Sequence, residues 1–231
     1  MKILSPYFIV TISSLLSVNS LFNTVTQDHR SAYFSIIAIS NDSIALENDY
    51  VRVLRNATIT SSADAASFDK RILIALSDLT YKSQKKAHKI HRGNVVVFQP
   101  NESYQYVVGD FFEVALKKAH PLVKGPDQWI DPLKNTTVYE DEQLRIFEER
   151  LEPGDTRELH SHAQRVVIRL NQTQLTDPRF KPNGAPGEGI QVKNTVKFAE
   201  PMVHVVKNLS KDVPLFNIII EFKTSVKKHH D

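Results

Sequence analysis

Short apolar runs of strand length recur along the chain. Residues 50–54, 72–76, 95–98 and 111–115 form one set, and 144–147, 166–170, 203–206 and 215–222 a second. They are rich in β-branched and aromatic side chains and are bounded by Asn, Asp, Gly and Pro, which is the pattern of strands. Only residues 64–70 suggest a helical turn. Many short strands at this spacing predict an all-β sandwich or barrel.

The pattern also repeats itself. Tyr50-Val51-Arg52-Val53-Leu54 matches Gln143-Leu144-Arg145-Ile146-Phe147, and Arg71-Ile72-Leu73-Ile74-Ala75-Leu76 matches Arg165-Val166-Val167-Ile168-Arg169-Leu170. Continued, the match sets Phe98 against Phe198. Two halves follow, 43–118 and 138–224, joined by a polar linker (119–137) that holds Pro121, Gly125, Pro126 and Pro132. Each half is expected to close into one barrel-like sheet, so that the chain is a fused pseudo-dimer. The single Trp, Trp129, is expected to pack from the linker onto a barrel. Residues 182–189, with Gly184, Gly187 and Gly189, read as a mobile hairpin tip, with a lid over a barrel mouth as the alternative.

Composition narrows the chemistry. A formal charge of +3, with basic residues scattered, gives no electrostatic footprint for nucleic acid. The absence of cysteine excludes disulfides, thiolate metal sites and cysteine nucleophiles. A metal site must then use His, Asp, Glu or amide ligands. Lys2 followed by an apolar stretch (3–16) and Val18-Asn19-Ser20 reads as a signal peptide over 1–20, with an uncleaved anchor as the alternative. The expected location is secreted or periplasmic, with no stable membrane span after processing. Asn-x-Ser/Thr occurs at Asn41, Asn56, Asn101, Asn135, Asn171 and Asn208. Asn and Ser/Thr sharing β-turns accounts for this, and glycosylation is the alternative in a eukaryotic source.

The residues that carry chemistry lie in the second half. In Gly154-Asp155-Thr156-Arg157-Glu158-Leu159-His160-Ser161-His162, a strand sends His160 and His162 to the same face. Two imidazoles two apart form a metal pincer, and the third ligand must come from another strand. His204, in a β-branched stretch, is the best candidate. Gly154 followed by His160-x-His162, with His204-x-x-x-Asn208 later, resembles the two motifs of the cupins. The second half is similar to the short single-domain cupins of the β-alanine-degradation protein family. The matching pieces are Leu144-Arg145-Ile146, Pro153-Gly154, His160/His162, Val166-Val167-Ile168 and His204/Asn208. The resemblance implies two tandem cupin (jelly-roll) barrels, the second with a three-His site.

The departures are informative. The common cupin pattern has a Glu four or five residues after the second His, where this chain has Val166 and Val167. Ala199-Glu200-Pro201 stands in place of the Pro-x-Gly turn. The resemblance therefore implies three imidazole ligands, with water, Gln164 or Glu158 to complete or support them. On a regular strand Glu158 and Gln164 share the His face, which makes them the candidate proton-moving or substrate-positioning groups. In the first half the repeat sets Ala66, Phe68 and Tyr104 against His160, His162 and His204, so that barrel is expected to hold no metal. His88 and His91 read as part of a polar loop.

Two functional classes stay open. One is an enzyme dependent on a single divalent ion (Fe, Mn, Ni, Zn or Cu) that oxygenates, isomerises or hydrolyses a small organic acid. The other is a non-catalytic small-molecule binder. Monomer and homodimer are both compatible with the sequence.

Overall fold

A computed structural model describes residues 43–58, 67–83, 86–100, 102, 104–118, 134–177 and 187–223. The leader, Ala66, Trp129, most of the linker and the 178–186 segment lie outside them. Among the described residues there is no α-helix. Phe68, Asp69 and Lys70, which suggested a helical turn, are the start of a strand.

The first half supplies β1 (Ile44–Glu47), β2 (Val51–Arg55), β3 (Phe68–Ala75), β4 (Leu79–Ser83), β5 (Lys86–Ile90), β6 (Val95–Phe98), β7 (Tyr104–Val108) and β8 (Phe111–Lys117). The second supplies β9 (Asn135–Glu140), β10 (Leu144–Leu151), β11 (Thr156–His162), β12 (Arg165–Arg169), β13 (Thr173–Asp177), β14 (Gly187–Gln191), β15 (Thr195–Ala199), β16 (Met202–Asn208) and β17 (Leu215–Phe222). Two corrections to the strand bounds follow. β9 begins inside the stretch assigned to the linker, and Gly187 and Gly189 belong to β14 rather than to a hairpin tip. His88 likewise sits in β5, stacked on Tyr81 with ring centroids 4.8 Å apart, not in a loop.

The internal repeat reappears as topology. The order β1-β2-β8-β3-β6 of one five-stranded sheet is reproduced by β9-β10-β17-β12-β15 of another. The smaller sheet β5-β4-β7 corresponds to β14-β13-β16, to which the second half adds β11 at the edge. The pairing registers align Arg71, opposite Ala115, with Arg165, opposite Glu221. Phe98 faces Arg71 and Ala199 faces Arg165, so Phe98 matches Ala199 and not Phe198. The one-residue slip arises because the sequence match was carried across strands of unequal spacing.

The two five-stranded sheets pack on each other. Val53, Ile72, Ile74 and Val114 of the first half share one apolar core with Ile146, Val166, Ile168 and Ile220 of the second. Their other faces look into their own barrels, so β3, β8 and β17 are buried on both sides and read as continuous apolar runs. β16 alternates buried and exposed residues because one of its faces meets solvent. Gly93 lies where the halves meet, with φ at 88°, and a Cβ there would stand 2.7 Å from the Phe216 ring, so only glycine fits. Beside it the Arg92 guanidinium donates to the Leu170 carbonyl and, at 3.0 Å, to Asn171 Oδ1. Truncation of Ile220, 0 % exposed in the shared core, is expected to cost ~2–5 kcal/mol. Urea unfolding of Ile220→Ala checks this.

Candidate metal centre

The site grows out of the register between β11 and β16. His160 and His204 are directly opposed in this antiparallel pair, and His162 follows two residues on, opposite Met202. All three imidazoles point into the second barrel and are 1 %, 2 % and 6 % exposed. One nitrogen of each lies within 4.8 Å of the others. Among the described residues this is the one such group of potential ligands. The structure thus brings together the three residues singled out from sequence.

It does not bring in Glu158. The pairing of β11 slips between Arg157 and His160, so a bulge breaks the two-residue alternation. Arg157 turns inward, fully buried, while Glu158 and Leu159 face solvent. What Glu158 offers the site is its backbone carbonyl, 2.7 Å from His160 Nδ1. Gln164 is buried, but its side-chain amide donates to Glu200 Oε2 at 2.8 Å and its backbone carbonyl accepts the Phe222 N–H. It serves as a tie between strand ends.

Three rows of residues across the five-stranded sheet face the imidazoles. Arg145, Glu221 and Arg165 make one, Phe147, Ile219, Val167 and Lys197 the next, and Glu149, Asn217, Arg169 and Thr195 the third. Glu149 is locked: Arg157 Nη1 donates to its Oε1, and Asn217 Nδ2 to its Oε2 at 3.0 Å. Burial pushes the Glu149 carboxyl up, but the Arg157 charge and the Asn217 amide outweigh it and hold the group below its usual range. Glu221 Oε1 accepts the Ala163 N–H at 2.7 Å and faces His162 Nδ1 at 3.4 Å. That is too long for a strong hydrogen bond but close enough to favour one ring orientation. Burial raises the Glu221 carboxyl. Glu149, Arg157, Arg165, Asn217 and Glu221 escaped sequence reasoning. Of these, only Asn217 and Glu221 interrupt an apolar run.

The donor set fits a divalent ion. Burial, reinforced by the Arg157 charge, lowers His160 to about 4. Burial, with Arg165 and Arg157, holds His162 well below its ordinary value. Both rings are neutral at physiological pH, the form that binds metal. The bond from His160 Nδ1 to a carbonyl fixes its proton there by inference, leaving Nε2 as acceptor. His160 Nε2 and His162 Nε2 lie 3.1 Å apart. Two such nitrogens need a proton or a cation between them, and two ligands each ~2.0–2.1 Å from one ion can have that separation.

Acid stability checks this electrostatic picture. A buried neutral imidazole binds its proton less readily when folded than when unfolded, where the pKa is about 6.5. Stability is then intact above that value and is lost as pH falls toward about 4, where His160 titrates in the folded chain. The metal-free protein is expected to show a Tm that falls through this window. In His160→Gln the fall is shallower.

Asn208, which ends the late His-x-x-x-Asn motif, has a structural role. It is 0 % exposed, and its Nδ2 donates to the carbonyls of Leu151 (3.0 Å) and Val213 (2.9 Å), tying β16 to the end of β10 and to the connection before β17. It is therefore closed to glycosylation in the folded chain. The first barrel is packed instead with Leu73, Tyr81, Phe98, Tyr104 and Phe111. Phe68, set against His162, is buried, and the Tyr104 hydroxyl donates to Glu113 Oε2 at 2.5 Å.

A cavity of about 30 Å³ lies beside the imidazoles, lined by His162, His204, Glu149, Arg165, Arg169 and Lys197 among others. A water needs roughly 10–15 Å³, so the space holds about two or three waters.

No family model and no curated protein matches the chain. Among solved structures, a cupin domain from Bordetella pertussis is similar over 44% of this chain and 98% of its own, at 23% identity and a TM-score of 0.34. The Cupin 2 conserved barrel domain protein of Leptotrichia buccalis is similar over 77% and 86%, at 14% identity and 0.49. An oxalate decarboxylase of Bacillus subtilis, a protein with Mn(II) centres, is similar over 86% and 79%, at 12% identity and 0.41. These are solved structures to which the chain is similar; the doubled sandwich with the strand order above is all-β. The narrower resemblance to the β-alanine-degradation family is not confirmed by them.

Proposed function

We propose that this tandem cupin holds one divalent ion on His160, His162 and His204 and acts, as a metal-dependent enzyme, on a small organic acid bound beside it. The observation that carries the reading is the meeting of three buried imidazoles, two of them neutral, at a small cavity with cationic walls. Bound there, Fe, Mn, Ni, Zn or Cu would supply Lewis-acid activation of a ligand oxygen or, for the redox-active metals, electron transfer. The chain's own residues do the rest. Arg165 is braced by Ala163 O at 3.1 Å and Glu200 O at 3.0 Å, and so presents a fixed positive wall to an acid. Phe147, with its ring centroid 6.3 Å from that of His162, and Ile219 shield the imidazoles from water. Glu149, held ionised, offsets part of the positive charge of the site. The first barrel, filled with aromatic side chains, is the structural partner.

One observation favours a second reading, a binder without turnover. Glu158, a candidate proton-moving group, faces solvent, and both oxygens of Glu149 are bonded. The deciding experiment incubates metal-loaded protein with a panel of small acids, with and without dioxygen, and follows oxygen uptake and product by mass spectrometry. Turnover establishes the enzyme. Ligands that raise Tm and are recovered unchanged establish the binder. Export belongs to the same proposal, on the strength of Lys2 and the apolar stretch after it. A mature protein whose first residue lies near 21 supports it, and an intact start opposes it.

A further inference from the structure

The two imidazoles of β11 are anchored differently. A carbonyl of β11 itself, that of Glu158, fixes the His160 ring through Nδ1. His162 Nδ1 is buried, and what faces it is Glu221 Oε1, reaching across from β17 at 3.4 Å. The Phe147 ring lies within 5° of parallel to the His162 ring and restricts its plane. A half-turn of the imidazole leaves that plane unchanged but puts carbon where each nitrogen stood. Only a polar partner distinguishes the two settings.

Glu221 Oε1 is an acceptor whatever the charge of its carboxyl. It already takes the Ala163 N–H at 2.7 Å, so one oxygen holds the backbone just after the ligand and faces the ligand's ring. Arg145 and Arg165 flank Glu221 on the two neighbouring strands. The rival arrangement puts the His162 proton on Nε2 and shares it with His160 Nε2, 3.1 Å away. It would aim a bare Nδ1 at a carboxyl oxygen that acts as an acceptor.

The first half of the chain is an internal control. Arg71, the counterpart of Arg165, lies opposite Ala115, where Arg165 lies opposite Glu221. Phe68, the counterpart of His162, is buried in the same apolar cluster as Ala115. The half without the imidazoles lacks the carboxylate too, and fills the same contact with carbon.

Resting on the reading above, we infer that Glu221 is a positioning residue of the metal centre: its Oε1 takes the His162 Nδ1–H and so turns Nε2 of that ring toward the ion. Glu221 acts through His162 and does not join the ligands. A bound cation makes the Nδ1–H a stronger donor, so the 3.4 Å contact is expected to tighten on loading.

The test uses zinc as the probe, with wild type, Glu221→Gln and Glu221→Met. Long-range proton–nitrogen correlation spectra read the imidazole nitrogens, and His162→Gln assigns His162. In the zinc-loaded wild type, His162 is expected to bind through Nε2 and to show a downfield, slowly exchanging Nδ1–H. Glu221→Gln keeps an acceptor and keeps the signal. Glu221→Met moves it upfield and speeds its exchange. Competition with a chelator is expected to show Glu221→Met holding zinc on the order of ten- to a hundredfold more weakly. A folded Glu221→Met that keeps both the signal and the affinity overturns the inference and leaves Glu221 as an anchor for the Ala163 N–H. Zinc bound through His162 Nδ1 in the wild type overturns it as well, and that spectrum decides if Glu221→Met does not fold. A wild type that takes up no zinc removes the metal centre. In that protein a His162 proton on Nδ1 still upholds the hold of Glu221 on the ring, and a proton on Nε2 overturns it.

Discussion

Loaded with a divalent metal and then desalted, the wild-type chain is expected to retain about one ion per molecule, and His160→Ala/His162→Ala none. The size of the effect follows from geometry. His160 faces His204 across one rung of the β11–β16 pair, with ring centroids 4.4 Å apart, and His162 sits 4.8 Å from His160 on the same strand. The ligands arrive preassembled, so binding does not have to order them. Removing both β11 imidazoles leaves one ring, which cannot chelate. The loss should also appear as stability. Free metal at a hundred times its Kd raises the wild type by ~2.7 kcal/mol and leaves the double variant unmoved. His88→Ala/His91→Ala, in the first half, should retain metal like the wild type, since those side chains stack on Tyr81 and face Asp78 instead. Equal retention by the His160→Ala/His162→Ala protein would remove the centre from this barrel.

The trio was legible in the sequence because it needed only the two-residue period of a strand and one distant His. The doubled fold was legible for a related reason: Arg52 and Arg145 occupy equivalent rungs, opposite Ala115 and Glu221, so equal spacing in sequence became equal spacing in the sheets. The face of Glu158 was not legible. It depends on a bulge, and a bulge reverses alternation without any change in residue type. Nor was the polar lining. Asn217 and Glu221 lie in a strand buried on both faces, where an apolar run hides which residues look inward. Only the partner strands, which set Asn217 beside Glu149 and Glu221 beside Arg165, reveal the buried network.

That network should account for the largest stability change outside the shared core. Arg157→Met is expected to cost ~3–5 kcal/mol, because it strands the Glu149 carboxylate in the barrel interior. Arg157 is 0 % exposed and Glu149 6 %, so bulk solvent does not screen the stranded charge. Without the guanidinium, burial, already the leading influence on Glu149, raises its pKa, and the variant should bind a proton that the wild type does not. Glu149→Gln alone strands the cation instead and should cost a similar amount. The double variant removes both charges, and its loss should fall short of the sum of the single losses by ~0.5–3 kcal/mol. Urea unfolding of the four proteins gives the coupling directly. Additive losses would mean that the pair contributes through packing alone. Metal titration of the same four then separates two roles. If Glu149 tempers the positive charge around the imidazoles, Glu149→Gln weakens metal binding even where the fold is intact. If it serves only as the counter-ion of Arg157, the double variant binds metal as well as the wild type.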